Sequence, residues 1–141
     1  MGRLQRFSVQ VLADASGDAT VYTESVNGLL HSVWLDQGTL ATGTDLVITE
    51  AESARPLLTI TNTGVADLFW YPRVGIHPVA NTAGGTIVPG GTTTGGDGVA
   101  RTMIPVVGRI KVALGAGSGG NAGAGTLHFD IVTSLPSEMV R

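Results

Sequence analysis

The closing part of the chain, from Val107 to Val132, decides the fold class and reads VGRIKVAL, GAGSGGNAGAG, TLHFDIV. On both sides of the glycine run, apolar residues alternate with polar or small ones, which is the period of β-strands; the apolar set is Ile110, Val112, Leu114, Leu127, Phe129 and Ile131. The run contains G-x-G-x-x-G at Gly115, Gly117 and Gly120. A dinucleotide loop needs a helix after this motif, and NAGAG followed by TLHFDIV cannot start one. The stretch therefore predicts a hairpin with a glycine tongue (residues 115–125) and no bound cofactor.

The rest of the chain repeats the pattern of strands and turns. An N-terminal arm (residues 1–4) precedes a strand from about Gln5 to Leu12, and a hairpin is expected at Asn27-Gly28, because both positions of a type I′ turn need positive φ. Residues 75–98 form a long Gly-rich connection, and residues 134–141 a polar tail. Other strands are predicted in TVYTESV, LLHSVWLD, TDLVITE, PLLTITNTG and DLFWYP. The 141 residues thus predict one all-β domain, a jelly-roll-like β-sandwich of about eight short antiparallel strands.

Composition narrows the function classes. The net charge is −3, Lys111 is the only lysine and the arginines are scattered, so the clustered basic patch of a nucleic-acid-binding protein is not expected. The chain has no cysteine, which excludes disulfides and thiol chemistry. No apolar stretch approaches the length of a membrane span, and the alternating start MGRLQRFSVQVLAD predicts no signal peptide.

Catalytic and metal-binding patterns are weak. No pair of histidines has the short spacing of metal ligands; the histidines are His31, His77 and His128. Asp97 in GGDG is a single carboxylate and is interpreted as a turn residue. Glu50 and Glu52 are interpreted as a solvated pair rather than an acid–base pair. No G-x-S-x-G motif or phosphate loop is present. We therefore expect neither an enzyme nor a cofactor or metal.

The aromatic step Phe69-Trp70-Tyr71 leaves two alternatives open. In a strand, Phe69 and Tyr71 point away from the side of Trp70, so either Trp70 or Tyr71 faces outward. An outward aromatic residue either packs at a sheet edge or contacts a partner, since exposed aromatic residues are enriched in binding hot spots. The two glycine-rich loops allow a similar choice between free excursions and segments that order against a neighbour.

The order of elements resembles that of the capsid cement (decoration) proteins of short-tailed phages, over nearly the whole chain. The resemblance rests on GLLHSVWLDQGTLATGTDLVI, PLLTITNTGVADLFWYPR and IPVVGRIKVALGAGSGGNAGAGTLHFDIV. Its most specific parts are GRIKVAL…GGNAGAGTLHF and FWYPR, neither of which is a catalytic motif. The resemblance implies a jelly-roll-like β-sandwich on the outer surface of the virion capsid. It implies a homodimer that binds the major capsid protein and staples neighbouring subunits; a trimer is the alternative.

We expect the partner contact at the aromatic step, in the long loop and on the N-terminal arm; the residues are Arg3, Arg6, Trp70, Tyr71, Arg73, His77 and Asp97. Nucleic acid and membrane are not expected partners, and synthesis in the host cytoplasm is expected. The main alternative is a jelly-roll module that binds carbohydrate or a host surface, with Trp34, Trp70 or Tyr71 stacking on sugar rings. An enzyme of the jelly-roll class is a third hypothesis.

Overall fold

A computed structural model describes residues 2–61, 63, 66–75, 101–116 and 122–134, and these ranges contain strands and turns but no helix. The strands are β1 (Gly2–Ala13), β2 (Ala19–Asp36), β3 (Thr44–Glu50), β4 (Pro56–Ile60), β5 (Leu68–Trp70), β6 (Val74–Gly75), β7 (Arg101–Thr102), β8 (Ile104–Ala116) and β9 (Gly123–Ser134). Every pairing is antiparallel. The prediction of an all-β antiparallel fold is therefore confirmed, although the longest strand has 18 residues. The jelly-roll topology stays a prediction.

The long strand β2 joins the two halves of the fold. The strand order is β1-β9-β2-β8-β3-β4, with β5 also paired to β2. The first half of β2 pairs with β8, and its second half pairs with β9 and β5. A bulge between Tyr22 and Ser25 interrupts the ladder with β8. There the Thr23 hydroxyl accepts a hydrogen bond from the Ile110 N–H at 3.0 Å. This side chain replaces the backbone acceptor that the N–H lacks at the bulge.

The core is built from the alternating positions that the sequence indicates. The six apolar residues predicted to alternate in β8 and β9 are all buried, and Phe129 is the largest side chain that is fully enclosed. They form one cluster with residues of β1, β2, β3 and β4, so both halves of the fold share a single core, as in a β-sandwich. In the opposite direction, the alternate side chains of β1, β9 and the second half of β2 point away from this core. We call this side the outer face.

The predicted hairpin at Asn27-Gly28 is wrong. Both residues lie inside β2, and Gly28 is flanked by Val106 of β8 and Thr133 of β9. A Cβ atom on Gly28 would lie 2.3 Å from the carbonyl oxygen of Val132, closer than atoms can approach. This glycine thus permits the close approach of three strands at the point where β2 changes partners, rather than a turn.

Three further boundaries differ from the prediction. Residues 2–4, expected as a flexible arm, belong to β1, where Gly2 pairs with Ser134 and Leu4 with Val132. Ser134 itself, placed in the tail, ends β9, and residues 135–141 lie outside the described residues. The closing stretch is not the predicted hairpin, because β2 lies between β8 and β9 in the strand order and the two strands do not pair with each other. The glycine tongue that joins them is shorter than predicted, since β8 runs to Ala116 and β9 starts at Gly123. The long connection is closed by β6 and β7, which pair, and residues 76–100 lie outside the described residues.

Candidate interaction surface

The outer face is organised in rows, because residues directly opposite each other in a sheet share a face. One row crosses β1, β9 and β2 through Arg6, Asp130 and Ser32. The next row crosses the same strands and adds β5; its members are Ser8, His128, Trp34 and Phe69. Each row is supported by paired strands, although a register shift between Leu30 and Ser32 interrupts the β2–β9 ladder beside the first row.

A buried carboxylate anchors the first row. Arg6 donates two hydrogen bonds to Asp130, from Nε to Oδ1 at 2.7 Å and from Nη2 to Oδ2 at 3.0 Å. The Ser32 hydroxyl, which also hydrogen-bonds His31, donates to Oδ2 at 3.1 Å. The hydrogen bonds from Arg6 and the one from Ser32 lower the pKa of Asp130, although burial alone would raise it. In return, Asp130 raises the pKa of Arg6. Arg6 is therefore committed to this ion pair and fixed in orientation.

In the second row, the rings of Trp34 and His128 lie against each other. Trp34 lies against His128 with ring centroids 4.9 Å apart, and the Arg6 guanidinium sits 5.5 Å from the Trp34 ring centroid. Ser8 hydrogen-bonds Nδ1 of His128 at 2.6 Å. Because its ring is contacted from both His128 and Arg6, Trp34 is half-buried and does not offer the open platform that sugar stacking requires.

Two exposed aromatic rings and a partly buried arginine lie where β5 ends, and we call Phe69, Tyr71 and Arg73 the aromatic–arginine patch. Tyr71 is 59% exposed and Phe69 is 47% exposed, with ring centroids 5.0 Å apart. The Arg73 guanidinium lies 5.9 Å from the Tyr71 ring centroid. Arg73 donates hydrogen bonds to the carbonyl oxygens of His31 at 2.8 Å and Pro72 at 2.7 Å, which hold it in place.

An apolar band crosses the outer face beside the Arg6 row. It runs over four strands through cross-strand neighbours, which are Leu4, Val132, Leu29 and Pro105. Leu4 is 56% exposed, and Val107 next to the band is 64% exposed. A shallow cavity of about 400 Å³ opens beside it, lined by Gly28, Leu29, Val107 and Val132 among others. Exposed apolar side chains gathered in this way are typical of surfaces that meet another molecule.

The prediction that Glu50 is solvated is wrong, because its carboxylate is buried in a network of hydrogen bonds. Its side chain is only 10% exposed and accepts hydrogen bonds from the Ser53 hydroxyl at 2.6 Å, the Val107 N–H at 3.0 Å and Arg55 at 3.0 Å. Arg55 also donates to the carbonyl oxygen of Pro105. The hydrogen bonds from Ser53 and then Val107 lower the pKa of Glu50. The carboxylate ties the β3–β4 turn to β8, so its role is structural. Only the exposed partner of the supposed pair, Glu52, is solvated, with its side chain 64% exposed.

The predicted contact residues fall into four groups. Tyr71 and Arg73 lie together in the aromatic–arginine patch. Trp70 pairs with Val33 and packs against the core, so Tyr71 is the outward residue of the aromatic step. Arg3 and Arg6 lie in β1, where Arg3 is exposed and Arg6 is held by Asp130. His77 and Asp97 lie outside the described residues. Phe69 and Asp130 were missed, although the alternation put Phe69 on the same side of the strand as Tyr71.

Within the described part of the chain, no group of three or more His, Asp or Glu side chains is placed to hold a metal ion. The same residues include no helix long and apolar enough to cross a bilayer. Comparison of the sequence with known protein families and with curated proteins finds no match. The class of protein that the fold and surface define is therefore an all-β domain with an exposed aromatic and apolar face.

Proposed function

We propose that this chain is a structural virion protein of the capsid cement class, which binds the outside of the major capsid protein shell and staples neighbouring subunits. The observation that carries the proposal is the aromatic–arginine patch. Tyr, Trp and Arg are the residues most enriched in binding hot spots, and here an exposed tyrosine lies beside a partly buried arginine just after β5. The resemblance of the sequence to cement proteins supplies the partner.

The geometry supports this role because the patch is preorganised. Arg73 is fixed by two backbone carbonyl groups, and His31 meets the Tyr71 ring edge-on at 5.8 Å between centroids. Little side-chain entropy remains to be lost on binding, so more of the contact energy contributes to affinity. A protein that touches several shell subunits multiplies such contacts by avidity, which is how a small domain stabilises a large shell.

The chain offers a matched control for testing the patch. Its second tyrosine, Tyr22, is 44% exposed and also carries an arginine over its ring, since Arg109 lies 4.7 Å from the ring centroid. We expect Tyr71→Ala to weaken binding to shells of its own virion that lack this protein by about 30-fold or more, the loss typical of a hot-spot residue. Tyr22→Ala should bind such shells like the unaltered protein.

Co-sedimentation of labelled protein with those shells measures both variants. Equal binding by Tyr71→Ala and Tyr22→Ala would remove the patch from the interface. Absence of binding by the unaltered protein, together with shells that resist heat equally with and without it, would overturn the cement function itself.

Carbohydrate binding is the second candidate, and the structure restricts where it could occur. Trp70 faces the core and Trp34 is covered by His128 and Arg6. The exposed aromatic rings that remain are Phe69, Tyr71 and Tyr22. Retention of the protein on a glycan array, lost in Tyr71→Ala and kept in Tyr22→Ala, would favour this function over shell binding.

A further inference from the structure

Within the described part of the chain, β1 is a sheet edge that is neither short nor bulged. β1 stands at one end of the strand order and pairs only with β9 among the described strands. Its ladder runs from Gly2 to Ala13 without a bulge, and its sequence, GRLQRFSVQVLA, contains neither lysine nor proline. Natural edge strands are commonly short, bulged, or protected by these residues, because a free row of N–H and C=O groups pairs readily with another chain.

Two exposed leucines mark the ends of this edge. Leu4 is 56% exposed and Leu12 is 64% exposed, and both point to the outer face. On the opposite side of the strand, Phe7 and Val9 are only partly buried against the core. Arg6, which lies between Leu4 and Leu12 on the outer face, is paired with Asp130. The charge at the centre of the strand is therefore neutralised, and the exposed Arg3 lies near its end. The edge therefore leaves apolar surface in water on both of its faces.

A two-fold axis through this edge allows only certain registers. Directly opposite residues in an antiparallel pair share a face, so a β1 strand paired with its own copy must match even positions with even and odd with odd. When Ser8 stands opposite Ser8 of the second copy, Leu4 falls opposite Leu12, because both leucines lie four positions from Ser8. Phe7 then falls opposite Val9, and the two-fold axis repeats each contact.

Neighbouring registers lack this match. With the axis at Phe7, Leu12 meets Gly2 and Leu4 meets Gln10; with the axis at Val9, Leu12 meets Arg6 and Leu4 meets Asp14. With the axis at Arg6, the two arginines stand opposite each other. Only the register centred on Ser8 pairs both exposed leucines with apolar partners and separates the arginines.

We propose that β1 is a homodimer interface, in which two copies pair their β1 strands antiparallel about a two-fold axis at Ser8 to form one continuous sheet. The contact spans Arg3–Ala13 on each copy, about half of the 20–30 residues per side of a standard stable interface. The dimer is therefore weak in dilute solution and strengthened where a shell holds two copies side by side. The interface specifies the homodimer of the proposed function, but the test below uses free protein, so either proposal can fail without the other.

Cysteine cross-linking tests the axis, because the chain has no cysteine of its own. Ser8→Cys should form a disulfide-linked dimer under mild oxidation, since opposite Cβ atoms across an antiparallel pair lie within reach of a disulfide. The control is Thr59→Cys, an exposed position on β4 at the other end of the strand order. It should stay monomeric.

A mixing experiment tests the register. Leu4→Cys and Leu12→Cys should each remain largely monomeric when oxidised alone, and a mixture of the two should give the cross-linked dimer. Cross-linking of Thr59→Cys in place of Ser8→Cys would overturn the proposal, as would a mixture that cross-links no better than its components. Sedimentation that shows only monomer for the unaltered protein at millimolar concentration would also overturn it.

Discussion

Replacement of Glu50 by glutamine tests whether a carboxylate, rather than a strand, completes the hydrogen bonding of β8. β3 ends at Glu50, which pairs with Ile110, so β3 does not reach the Val107 N–H. The Glu50 carboxylate accepts this N–H and the Ser53 hydroxyl. Glu50→Gln keeps the shape of the side chain but removes its charge and one acceptor oxygen.

The expected loss of stability follows from these contacts. A hydrogen bond to a charged group contributes about 1.5–3 kcal/mol. The ion pair with Arg55, whose side chain is 43% exposed, is screened by solvent and adds about 0–1 kcal/mol. Since glutamine retains one acceptor, we expect a loss of about 2–3 kcal/mol in the free energy of unfolding. For a domain of this size that lowers Tm by about 6–12 °C.

Glu52→Gln is the matched control, because the same substitution is made two residues away. The Glu52 side chain is 64% exposed and its oxygen lies 3.7 Å from Arg109, so its loss should change stability by less than about 0.5 kcal/mol. Differential scanning calorimetry and urea unfolding at neutral pH measure both variants. Equal Tm values for the two variants would refute the reasoning that Glu50 holds the β3–β4 turn to β8.

Two further predictions concern the pH dependence of stability and the close packing at Gly28. Folding lowers the pKa of Asp130 and Glu50 below their ordinary values of 3.8 and 4.5, so their contribution to stability is complete above those values and is lost as pH falls below them. As the pH is lowered, the Tm of Asp130→Asn should therefore fall less steeply than that of the unaltered protein. An equal slope for the two proteins would contradict this prediction. Gly28→Ala should lower the free energy of unfolding by about 1–3 kcal/mol, because the new Cβ atom meets the Val132 carbonyl oxygen. Gly115→Ala is the control, since its Cβ atom meets nothing within 4 Å, and it should be neutral or slightly stabilising. Equal effects of the two substitutions in urea unfolding would contradict the close-approach role of Gly28.

Part of the candidate surface followed from the sequence alone. The alternation in the aromatic step placed Phe69 and Tyr71 together on one side, and in the structure both are exposed. The sequence left open whether that side was the outer one, because period two defines two faces without stating which of them is buried. The pairing of Trp70 with Val33 of β2 decides it.

What the sequence by itself determined is the class of fold and the composition of its core. Period-two alternation is a local property, so it was readable on both sides of the glycine run, and the apolar positions there are buried. That the two strands flank β2 instead of pairing with each other was not readable from the sequence. Only the tertiary structure decided that Asn27-Gly28 lies inside a strand and that Glu50 is buried. An Asn-Gly step and a Glu-x-Glu step have the same local propensities wherever they occur. Strands distant in sequence crowd Gly28 and carry the N–H that Glu50 accepts, and no local pattern indicates their approach.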